Sequence, residues 1–342
     1  MKLSIIVPVY NMASDNKLSF CLDSLFNQTI SDYEVIAVDD CSTDNSLEIL
    51  REYEAKHPRN MTVIISEKNG HQGAAKNKGL RVAKGEWIGF VDSDDFVAPD
   101  MYEKLLFRAE ETGADVVGCD MQIVYGHSFE GGQTVASSRD AQVGELNLSQ
   151  KQSLVLDGGS LCTKIYKRDR IIGDGLYFPE NIFYEDNAMS NSYLVMAKHF
   201  EYVKEPLYYY YQHSTSTVHT VTKRRCEDRC VASRIMMGEA KNRGYYEELK
   251  EELDYKFIML FYLNTLFSYV REGDSLDIKF IKSLGKELVA TVPDFENNKY
   301  YKERINAEEK KLTRMQIKST GKFLIYYKLL TLYRKIRYGK RN

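Results

Sequence analysis

Two patterns of apolar residues alternate along the N-terminal part of the chain. Short apolar runs, typical of buried strands, lie at residues 3–9, 33–38, 62–66 and 86–91. Amphipathic helical patterns follow them at residues 18–26, 46–55, 74–82 and 101–111. This alternation predicts an α/β fold in which helices cover both faces of a mostly parallel sheet.

Acidic side chains follow two of these strands. The carboxyl ends of parallel strands meet at one sheet edge, so we expect a convergence of Asp39, Asp40, Asp92, Asp94 and Asp95. Clustered carboxylates repel one another unless a cation lies among them, and a divalent ion with oxygen ligands is the usual solution. The alternative for Asp94 or Asp95 is capping of the helix that follows, which we expect Pro99 to open.

A second acidic pair, Glu185 and Asp186, precedes a helical pattern far along the chain. Helix capping is again the simpler explanation.

The C-terminal third has a helical pattern throughout. It predicts a domain boundary near residue 220, with one domain over residues 1–220 and a helical region over 221–342. The predicted helices span residues 226–243, 246–270, 276–290, 300–317 and 323–338. The apolar stretch 257–270 is shorter than the roughly 20 residues of a membrane span and indicates a core helix.

Composition narrows the functional class. The 342 residues carry a net charge of −2, which argues against nucleic-acid binding. The six cysteines are scattered without zinc-site spacing, as expected for free thiols in a reducing compartment. The first apolar run stops at Pro8 and is too short for a signal peptide, so we expect a cytoplasmic protein.

Four strings occur in sequence: SIIVPVYN, VIAVDDCSTDNS, EKNGHQGAAKNKGL and GEWIGFVDSDD. In order and spacing they resemble the signatures of the family 2 inverting glycosyltransferases with the GT-A fold, of the bacterial cell-surface polysaccharide type. The resemblance is strong over residues 1–109 and looser to about residue 217. It implies transfer of a sugar from a nucleoside diphosphate, with UDP as the expected carrier, to a glycan or lipid-linked acceptor. It also implies a divalent metal, Mn²⁺ or Mg²⁺.

The resemblance assigns donor-binding roles to residues that follow the strands. Pro8, Val9 and Tyr10 would hold the uracil, and Asp39 would accept its imide hydrogen, which cytosine lacks. Substrate contacts are also expected from four further residues: Asn69, Lys76, Asp92 and Lys164. Lys76, where the family commonly has Arg, is alternatively a solvated helix residue, and Lys164 is alternatively a surface charge.

The resemblance also indicates a metal site and a base. Asp94 is the expected main metal ligand, with Asp92 beside it or on the sugar, and His213 as a further ligand. Asp186 is the preferred general base and Glu185 the second choice. Ser214 and Ser216 are expected to approach the diphosphate. A single base opposite the leaving group predicts inversion.

Other classes of protein fit less well. A sugar-nucleotide pyrophosphorylase-like nucleotidyltransferase needs a Gly-rich basic loop after the first strand, and a nicotinamide oxidoreductase needs G-x-G-x-x-G there. This chain has VPVYNMASDN at that position. A catalytically inactive sugar-nucleotide-binding protein is the other alternative, which the presence of Asp92, Asp94 and Asp186 disfavours.

The last 33 residues, 310–342, contain eleven Lys or Arg and no acidic residue, interleaved with aromatic and aliphatic side chains. As a helix, this tail would suit an anionic membrane surface at the inner face of the cell membrane. The alternative is a terminal helix that packs on the protein and keeps its charges in solvent.

Overall fold

The structure is a computed structural model that describes residues 1–213 and 221–339. The chain divides into two compact units. The first comprises Met1–Thr220 with Gly238–Glu248, and the second comprises Val221–Met237 with Leu249–Asn342. A catalytic domain that ends at residue 220 stays a prediction. The predicted roles of Ser214 and Ser216 lie outside the described residues, as do those of Lys340 and Arg341 in the tail.

The first unit is built on one mixed sheet. Its strands are β1 (Leu3–Val9), β2 (Tyr33–Asp39), β3 (Met61–Ile65), β4 (Trp87–Phe90), β5 (Phe96–Val97), β6 (Val116–Val124), β7 (Gln133–Val135), β8 (Gly144–Glu145), β9 (Lys164–Lys167) and β10 (His199–Tyr211). The main order is β3-β2-β1-β4-β9-β6-β10-β5. The four strands from β3 to β4 are mutually parallel, which confirms the predicted fold class.

The other half of the sheet departs from the simple parallel pattern. Strand β9 runs antiparallel to both β4 and β6, whereas β10 is parallel to β6. Local periodicity specifies that a segment is a strand, but it does not specify the direction of its partner, so this reversal was not predicted. The short strand β5, which was not among the predicted strands, pairs with β10.

Seven helices accompany the strands of the first unit along the described chain. They are α1 (Lys17–Phe26), α2 (Ser46–Lys56), α3 (His71–Val82), α4 (Met101–Thr112), α5 (Leu148–Asp157), α6 (Arg168–Gly173) and α7 (Glu185–Val195). Strands β1 and β2 are buried at every position, as expected of central strands covered on both faces. Pro99 does not open α4, because the chain first forms a turn through Asp100.

The second unit is helical. Its first helix, α8 (Lys223–Asn242), begins in this unit, and the residues of α8 from Gly238 onward belong to the first unit. The helices that follow are α9 (Lys250–Phe257), α10 (Thr265–Glu272), α11 (Ile278–Thr291), α12 (Lys299–Arg304), α13 (Ala307–Lys318) and α14 (Thr320–Tyr338). Two of the predicted helices need correction. The helix predicted over residues 246–270 begins at Lys250 and contains a π-helical segment, Ile258–Asn264. The helix predicted over residues 300–317 is broken, because Asn306 starts α13 by accepting a bond from the Glu309 amide.

The apolar stretch 257–270 spans the π-helical segment and most of α10, where its side chains are mainly buried. Within the described residues, no helix combines the length and the apolar character that crossing a membrane requires.

Candidate active site

The loops after β1 and β2 are fastened to each other by polar side chains. The Asn11 amide donates to the Ser42 hydroxyl at 3.0 Å, and the Thr43 amide donates to the Asn11 side chain at 2.8 Å. Asn11 and Cys41 both have left-handed backbone conformations, which cost of order 1–3 kcal/mol for such residues. Ser42 and Thr43 therefore connect the loop after β2 to the loop after β1.

Asp39 is the last residue of β2, directly before the second of these loops, and it is 2% exposed. Its Oδ2 accepts a bond from the Ser42 amide at 3.3 Å. Its Oδ1 is buried and has no hydrogen-bond partner among the described residues. A buried acceptor left unpaired is costly unless a ligand satisfies it. Pro8 and Val9 are buried at the end of the neighbouring β1, whereas Tyr10 is 44% exposed and free to present its ring.

The turn before α3 is tied to the end of β2. The buried carboxylate of Asp40 accepts the Gly70 amide with both oxygens, at 2.9 and 3.1 Å. Asn69 accepts the His71 amide at 3.1 Å, so its side chain is used within its own turn. These contacts satisfy amides at the helix start. They explain why α3 begins at His71, three residues before the apolar pattern that predicted it.

Lys76 lies in a buried ion pair, and not on a solvated helix face as the alternative interpretation held. Its Nζ is 2.7 Å from Oε1 of Glu185, and both side chains are nearly inaccessible to solvent. Burial by itself lowers the pKa of Lys76, but Glu185 and Asp92 raise the pKa above its ordinary value. The cation therefore stays charged and neutralises part of the acidic cluster. Its contact with phosphate stays a prediction.

Asp92 lies where the two acidic segments of the chain come together. Loss of solvent around its carboxyl raises the pKa of Asp92 to about 6. Lys76 opposes this rise, and Asp94, Glu185 and Asp186 add to it. A second acidic segment thus contributes to the electrostatic field at the end of β4.

Asp94 and Asp95 point to different partners. Asp94 Oδ2 is 3.0 Å from Nε2 of His213, so the structure brings together two of the predicted metal ligands. Asp95 is buried and accepts bonds from the Tyr208 hydroxyl at 2.6 Å and the Tyr211 amide at 2.9 Å. Neither carboxylate caps α4. Asp95 instead fastens the end of β10, the strand that leads to His213.

Asp186 is the second residue of α7, and the helix follows Tyr184, which has a left-handed backbone conformation. Its Oδ1 accepts the Asn187 amide at 2.8 Å. Burial raises the pKa of Asp186, and the neighbouring Glu185 raises it further. The two members of the acidic pair thus differ: Glu185 is held by Lys76, whereas Asp186 is held only by its own helix start among the contacts described. A raised pKa is the property that a general base of this kind needs.

Lys164 is not a surface charge. It is 1% exposed, and its Nζ donates to the Ser160 carbonyl at 2.8 Å and approaches Thr163 Oγ1 at 3.2 Å. Burial lowers the pKa of Lys164 to about 8. In this arrangement Lys164 fastens the loop before β9, and its predicted contact with substrate stays a prediction.

Two residues near Asp92 were not assigned a role from the sequence. The Gln72 side chain donates to Asp92 Oδ1 at 3.5 Å, and the Cys162 thiol approaches Asp92 Oδ2 at 3.7 Å. Gln72 lies inside the motif EKNGHQGAAKNKGL, so the sequence could have indicated that Gln72 lies near the site. Cys162 gave no signal, because a single cysteine far from Asp92 in the chain predicts nothing about proximity.

Gly73 permits close approach of α3 to the segment that precedes Asp186. A Cβ atom at this position would lie 2.1 Å from the Pro179 carbonyl oxygen and 3.2 Å from the Glu185 Cβ. The first distance is far below a van der Waals contact. Glycine is therefore required for the approach that lets Lys76, one turn further along α3, reach Glu185.

The buried ion pair leads to a prediction about stability. We expect Lys76→Met to lower the free energy of unfolding by about 3–5 kcal/mol, because Glu185 would remain buried without its cation. Chemical denaturation would measure this loss. Lys104→Met is the matched control, since Lys104 pairs with Asp100 at the surface and should change stability by about 1 kcal/mol or less.

A second variant separates charge from packing. Lys76→Met combined with Glu185→Leu removes both charges and should recover most of the lost stability. Equal losses for Lys76→Met and Lys104→Met would contradict the assignment of a buried pair.

Solved structures similar to the protein define its class. The structure of residues 1–349 of Staphylococcus aureus TarS in complex with UDP superposes with a TM-score of 0.67 and 25% identity, over 99% of this chain and 92% of the other. The fold of the chain is thus similar to that of TarS, a poly(ribitol-phosphate) beta-N-acetylglucosaminyltransferase.

Sequence comparison places the chain more narrowly. Residues 4–170 match the Glycosyl transferase family 2 domain. "Putative glycosyltransferase EpsH" of Bacillus subtilis is 35% identical over 75% of this chain and 74% of its own length. "Uncharacterized glycosyltransferase YibD" of Escherichia coli is 32% identical over 63% of this chain, which spans 62% of that relative's length. The chain belongs to glycosyl transferase family 2, as its four motifs predicted.

Proposed function

We propose that the protein transfers a sugar from a UDP-sugar to a hydroxyl group of a glycan or lipid-linked acceptor, with inversion. The observation that carries this proposal is the meeting of two acidic segments around Lys76, which pairs with a residue 109 positions away. One segment supplies Asp92 and Asp94 at a strand end, and the other supplies Glu185 and Asp186 at a helix start. The arrangement supports a donor site and a base at a single centre.

The nucleotide assignment rests on Asp39. Its buried Oδ1 has no partner among the described residues and matches the imide N–H that uracil presents. Pro8, Val9 and Tyr10 lie at the end of the neighbouring strand, where backbone groups and the exposed Tyr10 ring can bind a base. The TarS complex with UDP supports the same nucleotide for this chain.

The base assignment rests on the difference between the two members of the acidic pair. Glu185 is engaged by Lys76, so removal of a proton from an acceptor falls to Asp186. Asp186 would take the acceptor hydroxyl proton as the oxygen attacks the anomeric carbon and the bond to the diphosphate breaks. One displacement of this kind inverts the configuration at that carbon.

A divalent cation fits the pair formed by Asp94 and His213. No three His, Cys, Asp or Glu side chains in the described ranges are arranged as a complete metal site. Two protein ligands are nevertheless enough where substrate phosphates supply further oxygen ligands. The carboxylate suits both Mn²⁺ and Mg²⁺, whereas the imidazole favours Mn²⁺. The ion would act as a Lewis acid that stabilises charge on the departing diphosphate.

The acceptor and the location are further parts of the proposal. Relatives include the poly(ribitol-phosphate) β-N-acetylglucosaminyltransferase TarS of S. aureus, 30% identical over 86% of this chain, which spans half of that relative. A polymeric or lipid-linked acceptor in cell-envelope assembly is therefore the best candidate. We place the protein in the cytoplasm, at the inner face of the cell membrane. Family membership leaves an inactive binding protein as the main alternative.

The test combines turnover with nucleotide binding. Hydrolysis of UDP-sugars by the full chain, stimulated by Mn²⁺, would distinguish an enzyme from an inactive binding protein. We expect Asp39→Asn to weaken UDP binding about 10- to 100-fold, because a charge-assisted hydrogen bond contributes about 1.5–3 kcal/mol. Calorimetric titration with UDP and with CDP would measure this effect.

CDP is the internal control, since cytosine lacks the imide hydrogen and its affinity should change little in the variant. Equal weakening of both nucleotides would refute base selection by Asp39 without bearing on turnover.

A further inference from the structure

Helix α14 exposes a row of large apolar side chains. Their exposed fractions range from 49% for Tyr333 to 76% for Ile336. The positions recur at spacings of three and four residues, so they lie on one side of the helix. We call this row the apolar stripe; it consists of Ile325, Leu329, Leu332, Tyr333 and Ile336.

The other side of α14 is already used within its own unit. Phe323 is fully buried, and its ring lies 5.7 Å from that of Tyr327. The Tyr327 ring in turn contacts Phe267 of α10. Arg334 pairs with Glu308 at the start of α13. These contacts fix the rotation of the helix and leave the apolar stripe facing outward.

Cations border the apolar stripe on both sides. By helical geometry, Arg337 falls along one border, and Lys328 and Lys335 fall along the other, whereas Lys322 lies in line with the stripe, one turn before its first residue. These four side chains belong to exposed residues, and the Arg337 guanidinium contacts the Tyr333 hydroxyl within the stripe. Helix α14 contains no acidic residue. The surface is therefore an apolar row with positive charge on both sides and at its N-terminal end.

We infer that this surface docks on an anionic phospholipid membrane, with the apolar stripe among the acyl chains and the cations at the headgroups. This distribution of apolar and basic side chains is that of a helix lying in the plane of a membrane interface. A second copy of the chain is a poorer occupant, because pairing two such stripes would bring like-charged borders together. The inference stands independently of the proposed transfer reaction.

Sedimentation with lipid vesicles tests the inference on the full chain. We expect the protein to sediment with vesicles of phosphatidylcholine and phosphatidylglycerol, but not with vesicles of phosphatidylcholine alone. Raising the salt concentration should weaken the binding, because the electrostatic part is screened.

Two variants separate the apolar and charged contributions. Leu329→Gln with Ile336→Gln should weaken partitioning about 100-fold, at about 1.5 kcal/mol for each side chain. Phe107→Gln with Leu276→Gln, which changes two equally exposed apolar residues elsewhere, should not weaken it. Lys328→Gln with Lys335→Gln should weaken it about 30-fold, at about 1 kcal/mol for each cation. Lys282→Gln with Lys286→Gln on α11 is the matched charge control.

Three outcomes would overturn the inference. The first is the absence of binding to anionic vesicles, and the second is equal binding by the stripe variant and its control. The third is a lipid-free dimer of the full chain that the stripe variant converts to a monomer, which would assign the surface to self-association. UDP-sugar hydrolysis in solution, measured on the same variants, should stay unchanged, so failure of this inference is distinguishable from failure of the proposed function.

Discussion

Asp186→Asn should lower the rate of UDP-sugar turnover at least about 10²-fold while leaving UDP and Mn²⁺ affinity close to that of the unmodified protein. The amide keeps the shape of the side chain and can still accept the bond from the Asn187 amide. It cannot take a proton from an attacking hydroxyl at any ordinary pH. The loss should therefore appear in the rate of the chemical step and not in donor binding.

Single-turnover kinetics together with calorimetric titration of UDP would separate these two effects. Asp100→Asn provides a control, since Asp100 precedes α4 and pairs with Lys104 at the surface. Loss of UDP affinity with an unchanged rate would mean that Asp186 supports the fold of the donor site. Glu185 would then be the better candidate for the base.

Asp94→Asn should abolish metal-stimulated turnover and weaken Mn²⁺ binding measured in the presence of UDP. The variant loses the charge of a ligand but keeps an oxygen that can accept from His213. Asp94 is partly exposed, so we expect the thermal midpoint of unfolding to change little. Electron paramagnetic resonance of free Mn²⁺ would report metal binding without any dependence on catalysis.

The matched control for the Asp94→Asn experiment is the same substitution at the neighbouring Asp95. Asp95→Asn replaces a buried acceptor of bonds from Tyr208 and Tyr211. It should lower the free energy of unfolding by about 1–3 kcal/mol, because the amide cannot satisfy both donors equally well. Full turnover of Asp94→Asn in the presence of a chelator would remove the cation from the proposed mechanism.

The sequence predicted those parts of the molecule that depend on local periodicity. Strands β1 to β4 and helices α1 to α4 were found within a few residues, because each has its own apolar pattern. The convergence of the acidic residues that follow β2 and β4 was expected from strand order, whereas the meeting of Glu185 and Asp186 with Asp92 was not. Family membership was confirmed by the relatives.

Features that depend on distant partners were not predicted. The pairing of Lys76 with Glu185 joins residues that share no local pattern. The burial of Lys164, for which a surface charge was the alternative interpretation, has no local sequence signal either. The antiparallel direction of β9 and the π-helical segment Ile258–Asn264 are set by long-range packing. The break before α13 carried a usable signal, since Asn306 is a good N-cap residue, but the apolar pattern continued through it.

The close approach at Gly73 limits which substitutions this chain can accept. The gap between α3 and the Pro179 segment admits only a hydrogen atom, so any larger side chain would push α7, the helix of the proposed base, away from the end of β4. A displacement of about 1 Å at a reacting centre can cost about 10²-fold in rate. Gly73, which has no side chain, would thus set how closely the two acidic segments of the proposed site approach each other. We therefore expect substitutions that change the proposed donor or acceptor specificity to occur at other positions of the site and not at Gly73.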